Sequence, residues 1–259
     1  MRLWRKNLMK TVNCKLKIGI FSLTGCEGCC FSVLDLKERF LELADRIDVK
    51  HFRLFEDVSP EKIEELDAAF VEGSPLTEAN VKTLKQVRAK SSILIAMGSC
   101  ACQGGIYHLK QYQDKDKIFN AIYGQGHEIE NLDVLPINKI VKVDFNLPGC
   151  PVNGREFLHF VYQLLIGKNP SVSQLPVCYE CQAHGYECLL LKNKICLGPI
   201  TLAGCDAVCL KSKQGCGGCR GLVEEAEVDN LVKKLRENNS DKEINKALEV
   251  FGMKELVNL

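Results

Sequence analysis

At 259 residues the chain is long enough for one large domain, or for one mid-sized domain with a smaller appendage. Lys and Arg number 34 against 33 Asp and Glu, a near-neutral balance that gives no support to nucleic acid or an anionic membrane as the principal partner. No stretch approaches the roughly 20 apolar residues of a membrane span, and the basic N-terminus lacks the apolar run and cleavage site of a secretory signal, so a cytoplasmic protein is expected.

Leu16 to Phe21 reads as a strand that ends in the Gly-rich turn Thr24-Gly25-Cys26-Glu27-Gly28-Cys29. Phe31 to Ala44 carries apolar residues at helical spacing. Val49 to Phe55 is a second strand, Ser59-Pro60 opens a short helix, and Asp67 to Glu72 is a third strand stopping at Gly73-Ser74-Pro75. A helix over Thr77 to Ala89 precedes the strand Ile93 to Met97, which ends at Gly98. Tyr107 to Pro136 is polar, weakly periodic and reads as an insertion. Ile140 to Phe145 is a further strand, ending at Pro148-Gly149-Cys150-Pro151 before a helix from about Asn153 to Ile166. Such alternation predicts an α/β domain with a mostly parallel sheet covered on both faces.

After Pro170 the character changes. Residues 171–222 hold eight cysteines and little periodicity, so this part should fold around metal. From Glu224 a helical tail follows, with Val228, Leu231, Val232 and Leu235 on one face. The expected domains are therefore 15–170, 171–222 and 223–259.

The 15 cysteines carry the chemistry. An odd count in a chain of this size without an export signal argues against a disulfide framework and for thiolate ligands. Cys26, Cys29, Cys100 and Cys150 all lie where predicted strands end, and in an open parallel sheet such loops converge on one crevice. Four thiolates there suit a 4Fe–4S cluster, and Gly25, Gly28, Gly98 and Gly149 let backbone approach it closely. The second group runs Cys178-x2-Cys181-x6-Cys188-x7-Cys196, then Cys205-x3-Cys209-x6-Cys216-x2-Cys219, which divides into two sets of four. Structural zinc is the competing reading, but a zinc ribbon pairs two CxxC knuckles and each set here has one. His51, His108, His127, His159 and His184 lack ligand spacing among themselves, and His184 is a possible rival only inside the first of these sets. No GxGxxG follows a strand, so no dinucleotide, flavin or phosphate site is expected.

Thr24-Gly25-Cys26-Glu27-Gly28-Cys29, Glu72-Gly73-Ser74-Pro75, Gly98-Ser99-Cys100-Ala101 and Pro148-Gly149-Cys150-Pro151 occur in the order found in nickel–iron hydrogenase small subunits. Val177-Cys178-Tyr179-Glu180-Cys181 and Ile195-Cys196-Leu197-Gly198-Pro199-Ile200-Thr201-Leu202-Ala203-Gly204-Cys205 resemble the soluble branch of that family, with its sulfhydrogenases and its F420-reducing and F420-non-reducing hydrogenases. The resemblance covers about residues 15–222. It implies a flavodoxin-like first domain, three 4Fe–4S clusters, and a large-subunit partner that holds the nickel–iron centre. It also implies an electron-acceptor subunit of diaphorase, F420-reducing, ferredoxin-like or heterodisulfide-reductase type.

By position, the resemblance assigns Cys26, Cys29, Cys100 and Cys150 to a proximal cluster, Cys205, Cys209, Cys216 and Cys219 to a medial one, and Cys178, Cys181, Cys188 and Cys196 to a distal one. Cys14, Cys30 and Cys102 are left as packing or bystander thiols. Cys178 stands where membrane-associated relatives use histidine, and Cys209 where they often use proline, which fits three cubane clusters. Glu27 replaces a small uncharged residue; it is a tuning or proton-path carboxylate, or simply a solvated or paired acid. Glu72 matches a family carboxylate near the proximal cluster, with a strand-end cap as its plain alternative. The catalytic centre itself is expected in the partner. A rival reading is a complex I-like or hydrogenase-derived subunit not coupled to hydrogen, since Cys29-Cys30 supplies the tandem pair of the complex I subunit.

Overall fold

The computed structural model describes residues 15–43, 45–55, 62–124, 130 and 132–257. Five parallel strands form one sheet in the order β2-β1-β3-β4-β5, the flavodoxin-like order. They are β1 (Leu16–Ser22), β2 (Ile47–Phe52), β3 (Leu66–Glu72), β4 (Ser91–Met97) and β5 (Phe145–Leu147). Period-two alternation makes both faces apolar, as a doubly covered sheet requires. Phe52, Ile20, Phe70, Ile95 and Phe145 line up across all five strands. They face α1 (Gly28–Leu34) and a later helix over Gly154–Leu165, whose Phe157, Phe160, Val161 and Leu164 are buried. On the other face Ala69, Val71, Leu94 and Ala96 pack against Leu84 and Val87 of the helix Glu78–Lys90. Each fully buried side chain of this size contributes about 1.5–3 kcal/mol, so this core needs no ligand to account for it.

Three local expectations change. The helix expected over 31–44 ends at Leu34; a second short helix, α2 (Glu38–Leu41), follows Lys37, whose φ is 51°. The cause is tertiary: the helix at Gly154 starts so close that a Cβ there would stand 2.9 Å from Leu36 Cδ2 and from Ser32 O. The second strand spans Ile47–Phe52 rather than Val49 to Phe55. The strand expected over Ile140 to Phe145 shrinks to Phe145–Leu147. Here Asp144 takes over part of the pairing, its carboxylate accepting from Leu94 N–H at 2.9 Å and from Arg88 at 2.6 Å. The segment read as an insertion, after α3 (Glu78–Lys90) and α4 (Gly98–Gln103), carries the end of a 3-10 helix over Gly105–Tyr112 and then α5 (Lys115–Tyr123). The helix expected at Pro60 falls outside the described residues.

Beyond α6 (Gly154–Leu165) come α7 (Val177–Ala183) and the one-turn α8 (Val208–Lys211), separated by short turns. Their core is small and partly made of thiols: Val177, Cys181, Leu189, Cys196, Ala207, Leu210 and Cys216. The tail is three helices, α9 (Val228–Arg236), α10 (Asp241–Glu249) and α11 (Met253–Val257). Leu231 and Leu235 of its apolar face pack on Leu197 and Ile200, between the cysteine sets. Among the described residues no helix is long and apolar enough to cross a membrane.

Candidate metal centres

The sheet order reverses between β1 and β3, and there the carboxyl-end loops form a crevice. Thr24 and Ser74 pair across it, Ser74 N–H donating to Thr24 O at 2.8 Å and Thr24 N–H returning to Ser74 O at 3.2 Å. This pair fastens the loop carrying Cys26 to the one that follows Glu72. Cys29 lies in the first turn of α1 and Cys100 in that of α4, directly after β4; Cys150 follows β5. Together Cys26, Cys29, Cys100 and Cys150 line a cavity of about 80 Å³ with Glu72 and Ser99. Gly98 has φ +86°, and a Cβ on it would fall on the Cys29 sulfur; a Cβ on Gly105 would stand 2.8 Å from Cys100 Sγ. Glycine is required at both positions to leave the thiols room.

Burial pushes the Cys29 thiol far up, with the Glu72 carboxylate adding to it. Cys100 is pushed up to about 12 by burial, then by Cys150 and Cys26. Burial and neighbouring thiols oppose ionisation of Cys29, Cys100 and Cys150, and a bound cation reverses that preference. Glu72 is 3% exposed. Its carboxylate accepts from Ser22 Oγ at 3.0 Å and from Cys30 N–H at 3.2 Å, which makes it a brace of the α1 N-terminus as well as part of the cavity wall. Burial raises its carboxyl above the ordinary range. Glu27, in contrast, stands outside the cavity lining, in left-handed backbone at φ 59°, and meets Arg53 at 3.5 Å.

A second cavity, of about 280 Å³, is lined by Cys205, Cys209, Cys216 and Cys219 and also by Cys150. The thiols of the two cavities are thus neighbours. Cys219 is pushed up to about 12 by burial, then by Cys205 and Cys150. Cys178 is pushed up to about 11 by burial and then by Cys196, Cys181 and Cys188, the other members of the third set. It adjoins the second: Cys216 N–H donates to Cys196 Sγ at 3.3 Å, and a Cβ on Gly198 would touch Cys196 Sγ, Cys178 Sγ and Cys216 Cβ. The three sets therefore follow one another in a row, joined at Cys150 and at the Cys216–Cys196 contact.

Three organising residues were not anticipated. Arg220, 2% exposed, donates to Pro148 O at 2.7 Å, to Leu202 O at 3.1 Å and to Glu156 Oε1 at 2.9 Å, tying the Cys150 loop and α6 to the cysteine-rich region. Glu180 accepts from Gly204 N–H at 2.8 Å and Ala207 N–H at 3.2 Å, shaping the turn that bears Cys205. Gln103 reaches Gly218 O at 3.1 Å and Phe251 O at 2.9 Å, linking α4 to the last thiol loop and the tail. The sequence signal was a charged or amide residue beside a cysteine, as in Cys219-Arg220, Glu180-Cys181 and Cys102-Gln103.

The remaining thiols and imidazoles lie elsewhere. Cys30 belongs to the core beneath α1, and Cys102 packs on the opposite sheet face with its thiol 3.4 Å from Ala96 O. His51 stacks on Phe21, His184 on Tyr186, and His108 meets Gln111 at 2.7 Å; none of the three lines either cavity. Cys14 and His127 fall outside the described residues.

The donor sets fit iron–sulfur clusters. The first cavity offers four thiols and the second offers Cys205, Cys209, Cys216 and Cys219 besides the shared Cys150, and the buried Ser99 hydroxyl in the first has no hydrogen-bond partner among the described residues. Among the described residues no three His, Cys, Asp or Glu groups close on a point as one ion held at about 2.3 Å requires.

The chain matches the family model described as NADH ubiquinone oxidoreductase, 20 Kd subunit, over residues 26–164. That span holds all four strand-end cysteines and none of the later eight. The chain is similar to the Sulfhydrogenase 2 subunit delta of Pyrococcus furiosus, 34% identical over 92% of this chain and 99% of the other. It is also similar to a vhu-type F420-non-reducing hydrogenase chain of Methanocaldococcus jannaschii, 31% identical over 82% of this chain and 83% of that one. Among solved structures, a chain of an NAD+-reducing NiFe-hydrogenase in the H2-reduced state superposes with a TM-score of 0.53 at 29% identity, covering 62% of this chain and 96% of that one.

Proposed function

This chain belongs to the NADH ubiquinone oxidoreductase 20 Kd subunit family, and we propose that within it the chain is the electron-transferring small subunit of a cytoplasmic nickel–iron hydrogenase. The observation that carries the reading is the row of three thiol sets, joined at Cys150 and at Cys216–Cys196. Cys26, Cys29, Cys100 and Cys150 hold the proximal 4Fe–4S cluster. Cys205, Cys209, Cys216 and Cys219 hold the medial one, and Cys178, Cys181, Cys188 and Cys196 the distal one. When bound, such clusters accept and release single electrons, and so connect a nickel–iron centre in a large-subunit partner to an acceptor-reducing subunit.

The chain's own residues supply position and field. Residues 15–170 deliver the proximal thiols from strand ends, residues 171–222 carry the other eight, and the tail from 223 covers the junction between them. Arg220 fixes the Cys150 loop against Glu156, holding the two cavities in register. Glu72 orients the turn of Cys29 and Cys30. The acceptor subunit is of diaphorase, F420-reducing, ferredoxin-like or heterodisulfide-reductase type; the relatives' names span NAD-reducing and F420-non-reducing hydrogenases. In the complex, Cys150→Ser should lose the proximal signal and hydrogen-dependent dye reduction. Full activity in that variant would overturn the assignment.

The second reading, a complex I-like subunit not coupled to hydrogen, draws on the tandem Cys29-Cys30. The cavity speaks against it: Cys26 lines it, whereas Cys30 is turned into the core. Nickel in the co-purified complex decides between the two.

A further inference from the structure

Among the described residues that line the strand-end cavity, Ser99 carries a buried hydroxyl left without a hydrogen-bond partner. It is 1% exposed and lines the cavity with the four thiols. Its backbone is not free to drift, because Ser99 N–H donates to Gly149 O at 2.7 Å and so clamps the Cys100 turn to the Cys150 loop. The hydroxyls around it are engaged: Ser74 Oγ donates to Cys100 O at 3.2 Å and Ser22 Oγ to Glu72 at 3.0 Å. Glu72 accepts from Ser22 and Cys30, not from Ser99. Buried hydroxyls are almost always bonded, and one left without a partner at a ligand cavity implies that the ligand supplies it. The acceptors a four-thiolate cluster brings to this cavity are sulfur atoms.

We propose that Ser99 Oγ–H donates a hydrogen bond to a sulfur of the proximal cluster and thereby raises that cluster's reduction potential. A donor aimed at sulfur stabilises the more negative reduced form over the oxidised one. Ser99 is a positioning and tuning residue here; it neither ligates iron nor transfers a proton. The inference rests on the reading of Cys26, Cys29, Cys100 and Cys150 as cluster ligands, and its test separates the two.

The test uses the anaerobically purified complex of wild type and Ser99→Ala. Iron and acid-labile sulfide are counted first, and each cluster's midpoint potential is then followed by electron paramagnetic resonance. Ser99→Ala should keep its full iron and sulfide, shift the proximal potential negative, and leave the medial and distal potentials unmoved. In parallel, electron–nuclear double resonance on reduced wild type should show a strongly coupled exchangeable proton that is not an amide, marked by its lack of coupling to nitrogen in 15N-labelled protein. An unmoved proximal potential at full iron content overturns the proposal and leaves the cluster reading intact. Should Ser99→Ala lose its iron, the wild-type spectrum decides alone, absence of that proton overturning the proposal. Wild-type complex lacking the proximal iron would bring down the cluster reading and this inference together.

Discussion

The strand-end cavity and the cysteine-rich region present the same ligand type on opposite foundations. In the first, four thiols hang from loops of a sheet whose two faces are packed with Phe70, Ile95, Phe157, Phe160, Leu84 and Leu94, all buried. The packing of this scaffold involves none of the cavity's ligand positions except Cys29 at its edge, and the thiols are delivered to a place the topology already provides. In the second, Cys178 and Cys181 sit on α7, Cys209 on the one-turn α8 and the other five thiols on loops and turns, and Cys181, Cys196 and Cys216 are themselves part of the small core. On the proposed reading, ligand and core are here the same residues, and folding and metal binding become one event. A cluster site would then be built either by adding cysteines to a fold or by making the fold out of cysteines.

The contrast is broken most severely by removing iron. In protein prepared without it, amides of α7 (Val177–Ala183) should lose hydrogen-exchange protection while those of β3 and β4 keep theirs. Equal loss in both regions would show that the sheet also depends on its cluster. Next in size is Arg220→Met, which strands the Glu156 carboxylate at the junction; about 3–5 kcal/mol of stability should be lost in denaturant titration. Burial already raises the Glu156 carboxyl, with Arg220 the opposing influence, so the variant raises it further. A raised folded value means stability lost as pH rises through it, and the deficit of Arg220→Met should therefore grow from acid toward neutral pH.

Gly98→Ala sharpens the comparison from the other side. With φ +86° and the Cys29 sulfur where a Cβ would go, it should cost about 1–3 kcal/mol and empty only the proximal site. Iron analysis should then fall by about four per chain, with the medial and distal signals retained. The smallest effect expected is at the tail: Ser240→Ala removes the capping box with Glu243 and should cost about 1 kcal/mol, seen as faster exchange in α10 at unchanged iron content.

The same division explains what could be read from sequence. Alternating strands β1, β3 and β4 and the cysteines after them were legible, because the apolar period and the glycines beside Cys26, Cys29 and Cys100 are local signals. The grouping of the eight later thiols into two sets of four is an expectation from their spacing. What escaped is long-range. The break after Leu34 answers to Gly154, more than a hundred residues away. The loss of most of the fifth strand answers to Asp144 bonding Leu94 N–H, and the junction is set by Arg220, whose partners Pro148, Glu156 and Leu202 lie on three segments. Periodicity does not report on single polar side chains that reach across a fold. The order of the three sets was suggested by resemblance; Cys150 lines both cavities, so the first and second sets adjoin.

The central claim, three clusters on twelve thiols, is tested most directly by the metal and acid-labile sulfide content of the complex purified without oxygen, with paramagnetic resonance after dithionite reduction. About twelve irons and as many sulfides from this chain, with nickel in a co-purifying large subunit, is the predicted result. About four irons without nickel would leave only the proximal site and turn the reading toward the complex I-like alternative, and zinc without sulfide would contradict the redox account altogether.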